Sequence, residues 1–382
     1  MNSFFKLAGY NFEVLPKSNI LSAEEGLKYA NNEVCYPATL IIGDIIKALK
    51  SGKYNLKETA VAITQTGGQC RASNYLAMIK SAMVEAGFKE VPVISVAFGK
   101  SMSNEQSGFS INWMKYAHIA IDSILFGDCI AKFYYASIVR EKEKGLAKKL
   151  KKYYLNEANK YIARNDTKGI KNLLLKAAKE FNTIIKDDVK LPKIGIVGEI
   201  FLKFNSFSHK DILSWIMKQK IEVIPPMLTD FFMQSFVNDK INIEKHLKVK
   251  SMPNFVIDTL YKIVEKEITR FNKAASSFKY YTPFNNIFEV AEHGKEVISL
   301  SAQFGEGWLL PGEVVGFAKQ GINNVISLQP FGCIANHIIA KGVEKKIKTL
   351  YPQLNLLSLD FDSGVSDVNI INRLHLMIDN IK

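Results

Sequence analysis

The chain has 382 residues, 47% hydrophobic and 23% charged, enough apolar material for two or three cores and not the composition of an intrinsically disordered protein. Its 50 Lys and Arg against 37 Asp and Glu leave a net charge of +13, which keeps nucleic acid, an anionic substrate or an acidic partner open as classes. Four cysteines exclude a disulfide scaffold.

The opening MNSFFKLAGYNFEV lacks a basic stretch followed by an apolar one. No window approaches the roughly 18 apolar residues of a membrane span. A reducing, cytoplasmic setting without a membrane is therefore expected, with cysteines that are free, ligating or catalytic.

In chain order, short buried strands are predicted at 59–64 (TAVAIT), 91–98 (VPVISVAF), 193–197 (KIGIV), 222–224, 324–328 (NVISL) and 355–359 (NLLSL). Helices are predicted at 37–50, 73–86, 209–218, 256–271, 312–319, 334–350 and 367–378. This alternation implies α/β units with parallel sheets. The expected fold is two doubly wound parallel-sheet domains of Rossmann or flavodoxin type, 1–130 and 191–382, joined by a basic helical connector over 131–190. Between 140 and 190 there are 15 Lys or Arg against 7 Asp or Glu, at the spacing of two amphipathic helices. A solvated basic face is the favoured reading, ahead of a docking face for an acidic partner. Nucleic acid ranks last, because no nucleic-acid motif accompanies the charge.

Three of the cysteines share a local setting. Cys70 lies in TQTGGQCRASN (64–74), where a strand ends, two glycines turn the chain and a helix begins. Cys333 lies in QPFGCIANH (329–337), again between a strand and a helix. Cys35 lies in NNEVCYPA (31–38), with Pro37 suited to the first turn of the next helix. Ligands of open α/β sheets bind beyond the carboxyl ends of the strands, and helix N-termini favour thiolates. Three such thiols could converge on one ion or cluster. Spacing alone favours the plainer alternative, three small buried side chains. The absence of CxxC excludes a zinc ribbon or ferredoxin signature. Cys129, in IDSILFGDCIAKFYY, reads as helix packing.

Other residues stand near these turns. Glu199, directly after Gly198 at a strand end, is either a base aimed into the crevice or a helix-start carboxylate. Glu306, between two glycines in FGEGW, either lines the site or belongs to a plain loop. His337, four residues after Cys333, falls on that cysteine's helical face, and a supporting hydrogen bond or packing is favoured over ligation. Arg71 is suited to an anion, while Gln65, Asn74 and Gln329 offer amide donors near the cysteine turns. Asp360 and Asp362 lack calcium-loop spacing, and no glycine motif for a nucleotide is present.

The chain resembles the 2-hydroxyacyl-CoA dehydratase family, and most closely the dehydratase-like region of acyl-CoA dehydratase activase-related proteins. The resemblance is carried, in family order, by GLKYANNEVCYPATLIIGDIIKALKSGKY (26–54), TQTGGQCRASNY (64–75), VPVISVAF (91–98), PKIGIVGEIFLKFN (192–205), GEGWLLPGEV (305–314), QPFGCIANHIIAKG (329–342) and LDFDSGVSDVNIINRLHLMI (359–378). It implies an oxygen-sensitive iron–sulfur protein of anaerobic metabolism with one [4Fe-4S] cluster on Cys35, Cys70 and Cys333 and one iron left open. It also implies an ATP-dependent iron–sulfur activase as partner, a second dehydratase-like subunit or a homodimer, and a small-molecule substrate of which a CoA thioester is the family expectation. The activity implied is that of a lyase or an ATP-coupled reductase. The alternatives are an electron-transfer or accessory protein of an activase system without its own substrate, and a basic α/β binding module whose cysteines are structural.

Overall fold

A computed structural model describes residues 1–31, 33–64, 70–96, 108–249, 254–364 and 366–381. In chain order, α1 (Asn2–Leu7), α2 (Ile20–Tyr29) and α3 (Tyr36–Lys50) lead to β1 (Val61–Thr64), a 3-10 turn (Arg71–Asn74), α4 (Tyr75–Glu85) and β2 (Val93–Val96). Three long helices follow: α5 (Trp113–Ile138), α6 (Leu146–Ile162) and α7 (Thr167–Thr183). Then come β3 (Lys193–Gly198), α8 (Ile200–Phe204), α9 (Ile212–Lys218), β4 (Glu222–Ile224), α10 (Leu228–Glu244), α11 (Asn254–Ala275) and α12 (Ile287–Lys295). The last elements are α13 (Leu309–Lys319), β5 (Asn324–Pro330), a π-helix (Ala335–Ala340), α14 (Lys341–Leu350), β6 (Asn355–Phe361) and α15 (Asp367–Asp379).

The protein is mixed α/β with parallel sheets. β1 and β2 pair in parallel from Val61 opposite Val93. Pro92 can only accept, and it takes the Val61 amide at 2.8 Å, so the ladder starts two residues later than the apolar pattern does. The four-stranded sheet has the order β4-β3-β5-β6, all parallel. Its order reverses between β3 and β5, the position where such sheets open a crevice beyond their carboxyl ends. The β3 residues from Ile194 to Gly198 are all buried, as expected of a strand covered on both faces.

The helical layer has its own core. Phe133 of α5 meets Phe181 of α7 at 5.6 Å and Phe278, just beyond α11, at 4.9 Å between ring centroids. The boundary expected at 130 falls inside α5, which runs unbroken through it. Ile119, Leu125, Phe126, Ile130 and Phe133 are all buried in one cluster with α6, α7 and α11 residues, and so α5 belongs to the helical layer from its start. The two basic helices form as predicted, but part of their charge is already paired. Lys171 bonds Asp122 at 2.7 Å and Glu267 at 2.9 Å, and Lys151 lies 4.3 Å over the Tyr134 ring. No described helix is long and apolar enough to cross a membrane.

Candidate functional site

The site is assembled from turns at the ends of β3 and β5, the segment before α13, and the starts of α3 and α4. Gly198 ends β3 at φ 133°, and a Cβ there would lie 2.3 Å from the Leu328 carbonyl oxygen on β5. Only glycine lets the two central strands approach this closely and turn. Glu199 follows as the N-cap of α8, its Oε2 accepting the Leu202 amide at 2.9 Å. Of the two readings of Glu199, the helix-start role is realised, and the charge of the same carboxyl also raises the thiols. Burial, with the Glu306 charge beside it, pushes its pKa up to about 8. Glu306 is 3% exposed between Gly305 and Gly307, both at positive φ. Its Oε1 accepts the Ile200 amide at 2.7 Å, so it ties the segment before α13 to the start of α8.

Cys35 is the N-cap residue of α3 and is buried. Its Sγ lies 3.0 Å from the Tyr75 hydroxyl. The Tyr36 amide bonds the Phe331 carbonyl at 3.0 Å, which joins the α3 turn to the turn after β5. In that turn Gly332 has φ 73°, and a Cβ on it would stand 3.1 Å from Cys35 Cα. Cys333 comes next, and the Asn336 side-chain amide donates to its Sγ at 3.2 Å. Cys70 precedes the 3-10 turn at the start of α4. A Cβ on Gly305 would come within 3.6 Å of Cys70 Sγ and 3.5 Å of the Ala335 Cβ.

The three thiols share an electrostatic neighbourhood. The Glu199 carboxyl acts on Cys35, Cys70 and Cys333, and the Glu306 carboxyl on the last two. The sequence pattern led us to expect thiols activated by helix N-termini; the net effect is the opposite. Burial raises all three, the two carboxyls add to it, and Cys70 is pushed up to about 11. The Tyr75 hydroxyl and the Ala38 amide pull Cys35 back only in part. Without a bound cation these groups are neutral thiols.

The remaining candidates separate. Gln329 is fully buried on β5, its Nε2 3.4 Å from the Ser327 hydroxyl and its Oε1 without a partner among the described residues. His337 stands on the π-helix with its Nε2 3.5 Å from Asp360, which also holds Lys341 at 3.0 Å. Its ring meets Phe331 edge-on, while its backbone amide bonds the Cys333 carbonyl at 2.9 Å. Arg71 is exposed, and its charge lowers the Cys35 pKa. Asn74 is exposed and makes no side-chain cap on α4. Gln65 lies outside the described residues. Cys129 is completely buried, 4.0 Å from the Tyr281 hydroxyl, with its thiol pushed up to about 12 by burial. Asp362 accepts the Gly364 amide at 2.6 Å as a turn residue.

Two participants carried no separate signal in the sequence. Tyr75 and Asn336 each lie within six residues of a cysteine, inside the quoted segments, but only the folded turns aim them at sulfur. Among the described residues, no group of three or more His, Cys, Asp and Glu is arranged to hold a metal ion. Thiolates are the usual ligands of iron–sulfur clusters, and Cys35, Cys70 and Cys333 are the residues that would hold one. Comparison with protein-family models, with curated proteins and with solved structures finds nothing that matches this chain.

Proposed function

We propose that the chain is an iron–sulfur protein of the 2-hydroxyacyl-CoA dehydratase type, cytoplasmic, with one [4Fe-4S] cluster on Cys35, Cys70 and Cys333 in a cleft between two doubly wound units. Its electron source in this reading is an ATP-dependent iron–sulfur activase, and its substrate a small molecule such as an acyl-CoA. One observation carries the reading: three thiols from three separate turns come under the influence of one buried carboxyl, Glu199, at the carboxyl end of β3 where the sheet order reverses. An open iron, when the cluster is bound, supplies a Lewis acid and a one-electron reductant.

The chain's own residues supply the rest. Glu199, with a pKa near 8, can give or take a proton at neutral pH. The Asn336 amide donates toward the Cys333 sulfur, which would raise the cluster's reduction potential. Burial of Cys35, Cys333 and Gln329 limits the access of bulk water, with Cys70 only partly covered. Lyase or reductase chemistry on a carbonyl-bearing substrate fits this set.

A second reading has its own observation. Glu199 and Glu306 both accept backbone amides of α8, so each has a structural task, as in an electron carrier or accessory protein without its own substrate. Iron and acid-labile sulfide per chain, after strictly anaerobic purification, test the cluster. The expected result is about four of each, lost in C35A, C70A and C333A and kept in C129A. A wild-type chain that binds neither after reconstitution overturns both readings. A substrate-dependent change in the EPR spectrum of the reduced cluster separates the enzyme from the carrier.

A further inference from the structure

A separate cleft lies between the end of α10, the turn that follows α12, and α14. Its volume is about 600 Å³, within the range of small-molecule sites. Among the described residues, its lining shares none with the cysteine turns. Three lysines from three elements line it: Lys245 at the end of α10, Lys295 at the end of α12 and Lys346 of α14. Glu244 is the single carboxylate beside them. Ile241, Val297 and Leu300, all buried, give the cleft an apolar floor.

Hydrogen bonds hold the walls in place. The Asn242 side-chain amide donates to Gln303 Oε1 at 2.8 Å, and Gln303 Nε2 donates to the Leu300 carbonyl at 2.9 Å, so α10 is tied to the turn after α12. Lys346 Nζ donates to the Val297 carbonyl at 3.0 Å, which ties α14 to the same turn. An ammonium carries three donors, so this bond leaves two for a ligand. Lys295 is partly engaged by Glu292 at 2.5 Å, whereas Lys245 makes no side-chain hydrogen bond or ion pair with a described residue. Ser299 Oγ accepts the Ser301 amide at 3.2 Å, which leaves its own proton to donate elsewhere. Lysines at helix C-termini have an ordinary role in balancing the dipole. That accounts for Lys245 and Lys295 singly, but not for their convergence with Lys346, which stands mid-helix in α14.

The chemistry of the lining selects the ligand. Lysine binds as a point charge, which suits a tetrahedral phosphate, while the planar fork of arginine is the better match for a carboxylate. No described arginine lines the cleft. Three lysines against one glutamate leave a surplus of two positive charges, which balances a phosphate monoester at neutral pH. The geometry points to a binding site for a small phosphate monoester, its phosphate among Lys245, Lys295 and Lys346 with Ser299 donating, and its organic part against Ile241, Val297 and Leu300. The inference goes beyond the iron–sulfur reading and holds whether or not the thiols carry a cluster.

The test is calorimetric titration of the full chain with AMP, inorganic phosphate and succinate, for wild type, K245A, K346A and K152A. AMP should saturate one site per chain and bind more tightly than inorganic phosphate, while succinate, a dianion of planar carboxylates, binds at least about tenfold more weakly. K245A and K346A should each weaken AMP about tenfold, the loss of one charge-assisted contact. K152A removes an exposed lysine of α6 and should leave AMP binding unchanged. Lys346 also bonds Val297, so if K346A fails to fold, K245A decides. An absence of saturable AMP binding overturns the inference. So does a K152A loss equal to that of K245A, which would show only general attraction to a basic chain. Succinate bound as tightly as AMP overturns the phosphate assignment, and inorganic phosphate bound as tightly as AMP overturns the monoester. Iron and sulfide play no part in the readout, so its failure is separate from failure of the cluster reading.

Discussion

Replacing Gly332 by Ala tests whether the Cys35 and Cys333 turns are held against each other. Two costs combine there. The residue sits at φ 73°, and its new methyl would stand 3.1 Å from Cys35 Cα, 3.2 Å from Cys35 N and 3.3 Å from the Val34 carbonyl carbon. The left-handed backbone costs an alanine roughly 1–2 kcal/mol. The backbone of a neighbouring turn has to shift as well, for about 1–3 kcal/mol more, the range seen for overpacking. Gly321 provides the control, since it has φ 74° and open space where a Cβ would go. G321A isolates the conformational cost at about 1 kcal/mol. Urea unfolding of both variants gives the difference, and the labelling rate of buried Cys35 by a thiol reagent gives the local effect. G332A should lose at least about 1 kcal/mol more than G321A and label faster at Cys35, while G321A labels as wild type does. Equal losses with unchanged labelling would refute the contact between the turns.

Three further outcomes are expected. Y75F removes the hydroxyl 3.0 Å from Cys35 Sγ; it should cost about 1 kcal/mol and slow Cys35 labelling, because that bond lowers the thiol pKa, and faster labelling would contradict the assignment. The pH profile of Cys70 labelling should climb through the range where an ordinary thiol levels off, since its pKa is pushed up to about 11; a plateau near 9 would contradict this. Arg140 bonds Glu222 at 2.7 Å, Val189 O at 3.0 Å and Ala136 O at 2.9 Å, and stacks on Tyr280 at 4.1 Å. R140M should therefore cost about 3–5 kcal/mol, with part recovered in R140M/E222M, and a loss below about 1 kcal/mol would show the pair to be dispensable between α5 and the sheet.

The strands were legible because a strand buried on both faces has to be apolar along its length, as IGIV in β3 and VISL in β5 are. Parallel pairing followed from the helices between them. The extent of α5 was not legible. Its buried residues include Asp122 and Asp128, which interrupt the apolar periodicity and find partners only in distant segments, Lys171 and the start of α10. The predicted helix over 334–350 forms, but its first part is a π-helix, within which the Asn336 amide bonds the Cys333 sulfur. At the site, cysteines next to glycine or proline turns stood out, because these residues have few uses at a strand-to-helix turn. Lys203 and Asp230 carried no signal in the sequence, and only the packing of α8 and α10 buries them.

The raised thiols and the raised Glu199 and Glu306 carboxyls have a common physical cause. Burial is the largest cause for the thiols and for Glu199 alike, and the Glu199 and Glu306 carboxyls add to it, so the neutral forms of sulfur and carboxyl oxygen are favoured there. A cationic occupant would displace those protons, and each proton released makes its binding about tenfold stronger per pH unit. Such a site is costly when unoccupied and favourable when filled, so an occupant that binds only the folded chain returns its binding energy as stability. That asymmetry is what the proposed cluster site would show on loading, and what a structural ion-pair cluster such as Lys171 with Asp122 and Glu267, whose charges already meet at 2.7 and 2.9 Å, would not.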